Sequence, residues 1–144
     1  MVKAEAQVTI DRPPSEVFAY LTDPEKLPEW QATALEGHLE SGRLEKGARA
    51  TEVRQILGRR MESTMHVTEY EPDRRFEAEL VSGPVTFRIS HLLEPENGGT
   101  KVSFAFEGES AGYFPVAEPV VERQVQRQVA DDFRRLKLVL ETRG

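Results

Sequence analysis

A few residues in this chain have side chains that can move protons or orient a polar group, and their neighbours decide how each is read. His91 shares one face of an alternating segment with Val85, Phe87, Ile89 and Leu93, so it points where apolar side chains point. An imidazole in that position can act as acid or base near neutral pH. It can equally be a core histidine bonded to backbone. Asp132 falls inside the apolar stripe of a helical pattern. It reads as a ligand anchor or general base, or as the partner of a sheet arginine such as Arg54 or Arg88. His66 lies opposite Met65 and Val67 and is expected at the surface, and His38 stands in the weakest extended segment. Three histidines so scattered, with no HExxH pattern or adjacent carboxylate pair, do not suggest a metal site.

The remaining candidates are aromatic or soft. Tyr20 and Tyr70 read as tyrosines that finish a core near solvent. Tyr113 and Phe114, followed by Pro115, sit in an irregular stretch and are placed either to cap a cavity mouth or to pack. Trp30 is expected to pack a pair of short helices onto a sheet, with stacking on a ligand as the alternative. Met61 and Met65 share one strand face, as core filling or as a deformable pocket wall. The Arg59-Arg60 and Arg74-Arg75 pairs fall at turns and read as solvated. There is no cysteine, hence no disulfide, thiolate ligand or thiol nucleophile. No Walker loop, GxGxxG, GxSxG or CxxC occurs, so nucleotide hydrolysis, dinucleotide redox and serine hydrolase chemistry lose their usual sequence support. No cofactor is implied.

The elements that position these residues follow from period. Residues 3–10 alternate, with Ala4, Ala6, Val8 and Ile10 on one face. Pro13-Pro14 opens a short helix over residues 15–21, and Asp23-Pro24 caps a second helical turn that Pro28 is expected to end. Extended segments follow at 32–40 (the weakest), 49–57, 61–70 and 75–81. Gly58-Arg59 and Pro72-Asp73 mark turns between them. Two further strands carry Val85 to Leu93 and then Val102, Phe104 and Phe106. From about residue 119 to 142 the period becomes 3.6, with Val121, Val125, Val129, Phe133, Leu136, Val139 and Leu140 on one face. At 1.5 Å per residue this helix reaches about 36 Å, enough to cross a small sheet.

At 144 residues, with 38% hydrophobic and 31% charged residues mixed throughout, the chain suits one globular domain over residues 1–144. A net charge of -6 opposes nucleic-acid binding, which needs a cationic field. No apolar run approaches the ~20 residues that span a bilayer. The alternating opening residues lack the apolar block of a secretion signal, so a cytoplasmic location is expected.

The segment from Val8 to Phe18, then Leu21 to Pro24 with Trp30, then Leu93-Glu94-Pro95 with Gly99 to Val102, and the final helix occur in the order that carries a resemblance. The chain resembles the START-related (SRPBCC) superfamily, which includes birch-pollen-allergen-like proteins and the polyketide cyclase/dehydrase group. That resemblance implies an α+β helix-grip fold: a curved seven-stranded antiparallel sheet wrapped around a long C-terminal helix, with two short helices after strand 1. It implies a cavity but no family-wide catalytic motif, and fold alone does not select function. The leading expectation is a carrier of an apolar or amphipathic small molecule such as a lipid, isoprenoid or polyketide. The cavity candidates are Phe87, Ile89, His91, Phe104, Phe106, Tyr113, Phe114, Val125, Val129, Asp132, Met61, Met65 and Trp30. A cyclase/dehydratase and a protein-binding regulatory module of the chaperone-activator type are the alternatives, and the chain is expected as a monomer or a dimer.

Overall fold

Period-two alternation sets the first element, and the computed structural model bears it out. Residues 1–40, 42–56, 58–83, 85–109 and 116–143 are described. Strand β1 (Val2–Ile10) buries Val2, Ala4 and Ile10 and exposes Lys3, Glu5, Gln7 and Thr9. Helix α1 (Pro14–Thr22) begins on the proline pair and buries Val17, Phe18, Tyr20 and Leu21. The Asp23 side chain then accepts the Glu25 N–H at 3.0 Å and caps a 3-10 turn, Pro24–Lys26. This turn leads into α2 (Leu27–Trp30). Pro28 corrects the expectation that it ends the helical turn. It lies in the first turn of α2, where a missing N–H breaks no intrahelical bond and a fixed φ suits the helix.

Six strands follow: β2 (Ala34–Leu39), β3 (Arg49–Ile56), β4 (Arg59–Glu71), β5 (Arg75–Ser82), β6 (Val85–Glu96) and β7 (Gly99–Glu109). With β1 they form one antiparallel sheet in the order β1-β7-β6-β5-β4-β3-β2. The weakest segment in sequence, β2, is an edge strand and pairs on one side only. Ile56 pairs with Arg59, so Arg59 belongs to β4 and the turn falls one residue earlier than the sequence suggested. Gly58 there takes φ +76, a left-handed conformation that costs glycine nothing. Register shifts at Ala34/Glu36 and Val67/Glu69 put irregularities in the β2–β3 and β4–β5 ladders, and such bulges bend and twist a sheet. The sheet is curved and open, with its concave face toward the last helix.

That helix, α3 (Glu118–Thr142), runs 25 residues, about 37 Å at 1.5 Å per residue. It follows the free edge of β1 and satisfies that edge with side chains. Glu122 accepts the Lys3 N–H at 3.0 Å, and Gln126 both accepts the Glu5 N–H at 2.9 Å and donates to the Glu5 carbonyl at 2.8 Å. Farther along, Lys137 donates to the Thr9 carbonyl and Glu141 accepts the Asp11 N–H at 2.9 Å. Helix side chains thus replace the missing neighbouring strand, which blunts an edge otherwise open to pairing.

Replacing Gln126 removes both bonds to Glu5. Gln126→Ala is expected to destabilise the chain by about 1 kcal/mol in urea unfolding and to speed hydrogen exchange at the Glu5 amide. Unaltered protection of that amide would show that the helix does not close this edge.

Candidate functional site

The apolar stripe of α3 changes size along its length. Phe133, Leu136 and Leu140 are buried against the sheet, whereas Val121, Val125 and Val129 are short side chains facing the same concave surface. The valine half leaves a cavity of about 240 Å³ between helix and sheet. A single water needs only ~10–15 Å³. Val125, Val129, Ile89 and Phe106 point inward yet are only partly buried, because they border this space.

Each neighbouring strand contributes an inward-facing residue. Phe87, Ile89 and His91 come from β6, Phe104 and Phe106 from β7, Met61 and Ser63 from β4, and Leu80 from β5. Phe87 can lie flat over β7 because residue 108 opposite it is glycine. A Cβ there would come within 2.3 Å of Phe87 Cδ1 and 2.8 Å of the Thr86 oxygen. Trp30 enters from α2 and is fully buried in the core cluster. Its ring meets Phe133 of α3 edge-on at 5.3 Å, and it forms part of the cavity wall. Met65 is corrected as a wall of the main cavity: it lies beside a smaller void of about 20 Å³ with Leu21, Thr22 and Phe76, across Gln31, Arg54, Ile89 and His91 from the main one. Tyr113 and Phe114 fall outside the described residues. The other sequence candidates, Met61, Val125, Val129, Asp132 and His91 among them, all meet at the main cavity.

His91 is 4% exposed and sits among aromatic rings, 4.8 Å from Phe104 and 6.0 Å from Phe133 between centroids. Its Nδ1 faces the Phe76 carbonyl at 3.3 Å. A carbonyl only accepts, so Nδ1 carries the proton and Nε2 keeps its lone pair. Burial holds the imidazole neutral, with its pKa lowered to about 4 despite the bond to Phe76. Asp132 is buried too. Its Oδ1 accepts the Ala32 N–H at 3.1 Å and the Gln128 side-chain amide at 2.8 Å. Neither arginine suggested by the sequence pairs with it. Arg88 lies at the surface between Glu79 and Glu107, and Arg54 acts on Asp132 only through its field. Desolvation raises the Asp132 pKa, opposed by these two bonds and by Arg54 and Arg135.

The sequence reading missed the polar part of the wall. Arg54 donates from Nε and Nη2 to Glu52 Oε1 at 2.8 and 2.6 Å, and from Nη1 to Thr33 Oγ1 at 3.2 Å. Glu52 is 2% exposed. Period two from buried Ala50 would have put Glu52 and Arg54 inside. Gln124, Gln128 and Asp132, four apart on α3, form a polar row beside the valines. Gln31 and Gln55 add two more side-chain amides to the lining. Among the described residues one buried donor has no acceptor, the Nε1–H of Trp30. Such a group left unpaired costs about 1–3 kcal/mol. Among the described residues no cluster of metal-ligating side chains occurs.

The His91 environment sets a pH dependence. Unfolded, the imidazole binds its proton near 6.5, and folded near about 4, so the unfolded chain holds more protons between those values. Stability is therefore full above about pH 6.5 and declines as pH falls toward 4, by up to roughly 3 kcal/mol. Urea midpoints measured across that window should fall less steeply in His91→Gln than in the native chain. Parallel profiles would mean that His91 is not held neutral by burial.

This geometry has relatives. No curated protein matches the chain in sequence. Among solved structures, TTHA0849 from Thermus thermophilus superposes with a TM-score of 0.80 at 19% identity, over 99% of each chain. Ara h 8.0201 superposes at 0.72 with 16% identity, over 98% of each chain. The di-domain ARO/CYC protein BexL, from the BE-7585A biosynthetic pathway, superposes at 0.72 with 20% identity, over 98% of this chain and 47% of BexL. At such identities these likenesses establish the fold alone. The profile of the family described as polyketide cyclase/dehydrase and lipid transport matches residues 1–141. By that match over nearly its whole length, with the helix-grip architecture beneath it, the chain belongs to the polyketide cyclase/dehydrase and lipid transport family.

Proposed function

We propose that this protein binds a compact apolar or amphipathic small molecule in the cavity between α3 and the sheet. The observation that carries the reading is an interior space of about 240 Å³ walled by phenylalanine, valine, methionine and isoleucine, with glutamine amides in its lining. Apolar surface removed from water there would contribute about 25 cal/mol per Å². The volume favours one or two rings or a short chain over a long lipid. Lipid, isoprenoid and polyketide chemistries remain the candidate classes, and the family description names both lipid transport and polyketide conversion.

A second reading, a cyclase or dehydratase, is favoured by one observation: His91 and Asp132 border the same cavity with pKa values displaced in opposite senses. A neutral His91 Nε2 would take a proton from carbon, and the Asp132 carboxyl, whose desolvation favours its protonated form relative to a free aspartate, would give one to a departing hydroxyl, releasing water. BexL, named as ARO/CYC, lends this reading support by fold. The protein-binding alternative has less behind it. Of the large exposed apolar side chains, Leu35, Val81 and Leu138 sit on three different elements, β2, β5 and α3, while Met1, Val116 and Val120 lie about the start of α3.

Filling the space tests the first reading. The neutral fluorophore N-phenyl-1-naphthylamine is expected to brighten and shift to the blue with the native chain. Val125→Trp should abolish that response while leaving the circular dichroism spectrum unchanged. A native chain that leaves the fluorophore dark would overturn the reading. For the second reading, a β-hydroxy ketone incubated with the protein should gain enone absorbance, and Asp132→Asn should slow that gain at least tenfold.

A further inference from the structure

Two hydrogen-bonding groups at the cavity wall have no partner among the described residues, and they are complementary. The Trp30 Nε1–H is a buried donor without an acceptor. His91 Nε2 is an acceptor, because Nδ1 spends the only proton on the Phe76 carbonyl. Both rings pack on the same side chain, Phe133, with centroids 5.3 and 6.0 Å from it. Both residues line the cavity, Trp30 from α2 and His91 from β6, with Phe133 of α3 packed against each.

Charge at the same wall is already balanced or negative. The Arg54 guanidinium is turned to Glu52 and Thr33, and the Asp132 carboxyl stands alongside. A ligand carboxylate or phosphate would enter a low-dielectric space in which, among the described lining residues, the one arginine is already paired with Glu52 and Asp132 adds a carboxyl. An uncharged group that both accepts and donates meets neither penalty. The smallest such group is a hydroxyl.

We propose that Trp30 and His91 select the polar end of the ligand, which is an uncharged, largely apolar molecule bearing a hydroxyl. The hydroxyl oxygen accepts from Trp30 Nε1–H and its hydrogen is donated to His91 Nε2. This assignment rests on the cavity being a binding site, and it adds which chemistry the site prefers. Met61 and Val125 supply apolar contact that any ring of the right size would gain, so they do not discriminate.

Three probes of one shape separate the possibilities: 2-naphthol, naphthalene and 2-naphthoate, titrated calorimetrically into the native chain at pH 7.5. The expected order is 2-naphthol tightest, by roughly tenfold or more over each of the other two. Trp30→Phe and His91→Phe should each narrow the ratio of 2-naphthol to naphthalene binding toward one, whatever either change does to apolar binding as such. Equal binding of all three by the native chain, or tightest binding of 2-naphthoate, would overturn the assignment and leave the cavity reading in place. A uniform loss of all three probes in Trp30→Phe would likewise overturn it, since the indole would then be only a wall. If the native chain takes up none of the three, the binding site itself is refuted, and the assignment falls with it. The probe ranking needs no variant, so it decides the matter even if a substitution unfolds the chain.

Discussion

The structure depends on α3 being held at both margins of the opening it covers. Four residues of helix rise about 6 Å and two residues of strand about 6.6 Å, so side chains one turn apart can meet alternate residues of an adjacent strand edge. Glu122 and Gln126 do so at Lys3 and Glu5, and Lys137 and Glu141 continue the seam at Thr9 and Asp11. On its other side the helix is held by Asp132, which accepts the Ala32 N–H just ahead of β2. A helix fixed along β1 and clasped near β2 lies across the mouth of the sheet. It is not free to sink into the sheet wherever its side chains are short.

Short side chains then decide where the hollow lies. The large residues Phe133, Leu136 and Leu140 fill the half nearer the end of α3. The valines at 121, 125 and 129 do not reach far enough to close the other half. Protein interiors normally fill to crystal-like density, so a cavity of this size in a wall of phenylalanine and valine forgoes packing energy. The indole N–H, which meets no acceptor among the described residues, forgoes more. Both deficits fall in one place, around Trp30, Phe133 and the valine stripe. A bound molecule would relieve them together.

The polar groups fit the same logic. A buried charge is tolerated when paired, and Glu52 with Arg54 is such a pair inside the wall. His91 avoids the difficulty by staying neutral. Asp132 keeps its place through the Ala32 and Gln128 bonds at the cost of a raised pKa. An interior arranged this way presents neutral or paired groups beside a single carboxyl, which suits orienting a neutral group or passing a proton.

Local periodicity was enough to reveal which way most side chains face. The alternation of β6 and β7 and the 3.6-residue stripe of α3 put Phe87, Ile89, His91, Phe104, Phe106, Val125 and Val129 inside, and they lie there. Turn chemistry placed most strand boundaries, though Pro28 misled because a proline that stops one turn can start the next. Facing inward does not say what lies opposite, however. Whether Val125 meets a side chain or empty space depends on how far apart helix and sheet are held. That spacing is set by contacts between residues distant in sequence, such as Asp132 with Ala32, 100 positions away. The same holds for Trp30 against Phe133 and for Met65 beside its smaller void. Sequence determined the faces, since orientation follows from the repeat of one element. Tertiary structure alone decided the cavity, since volume is what several distant elements leave between them.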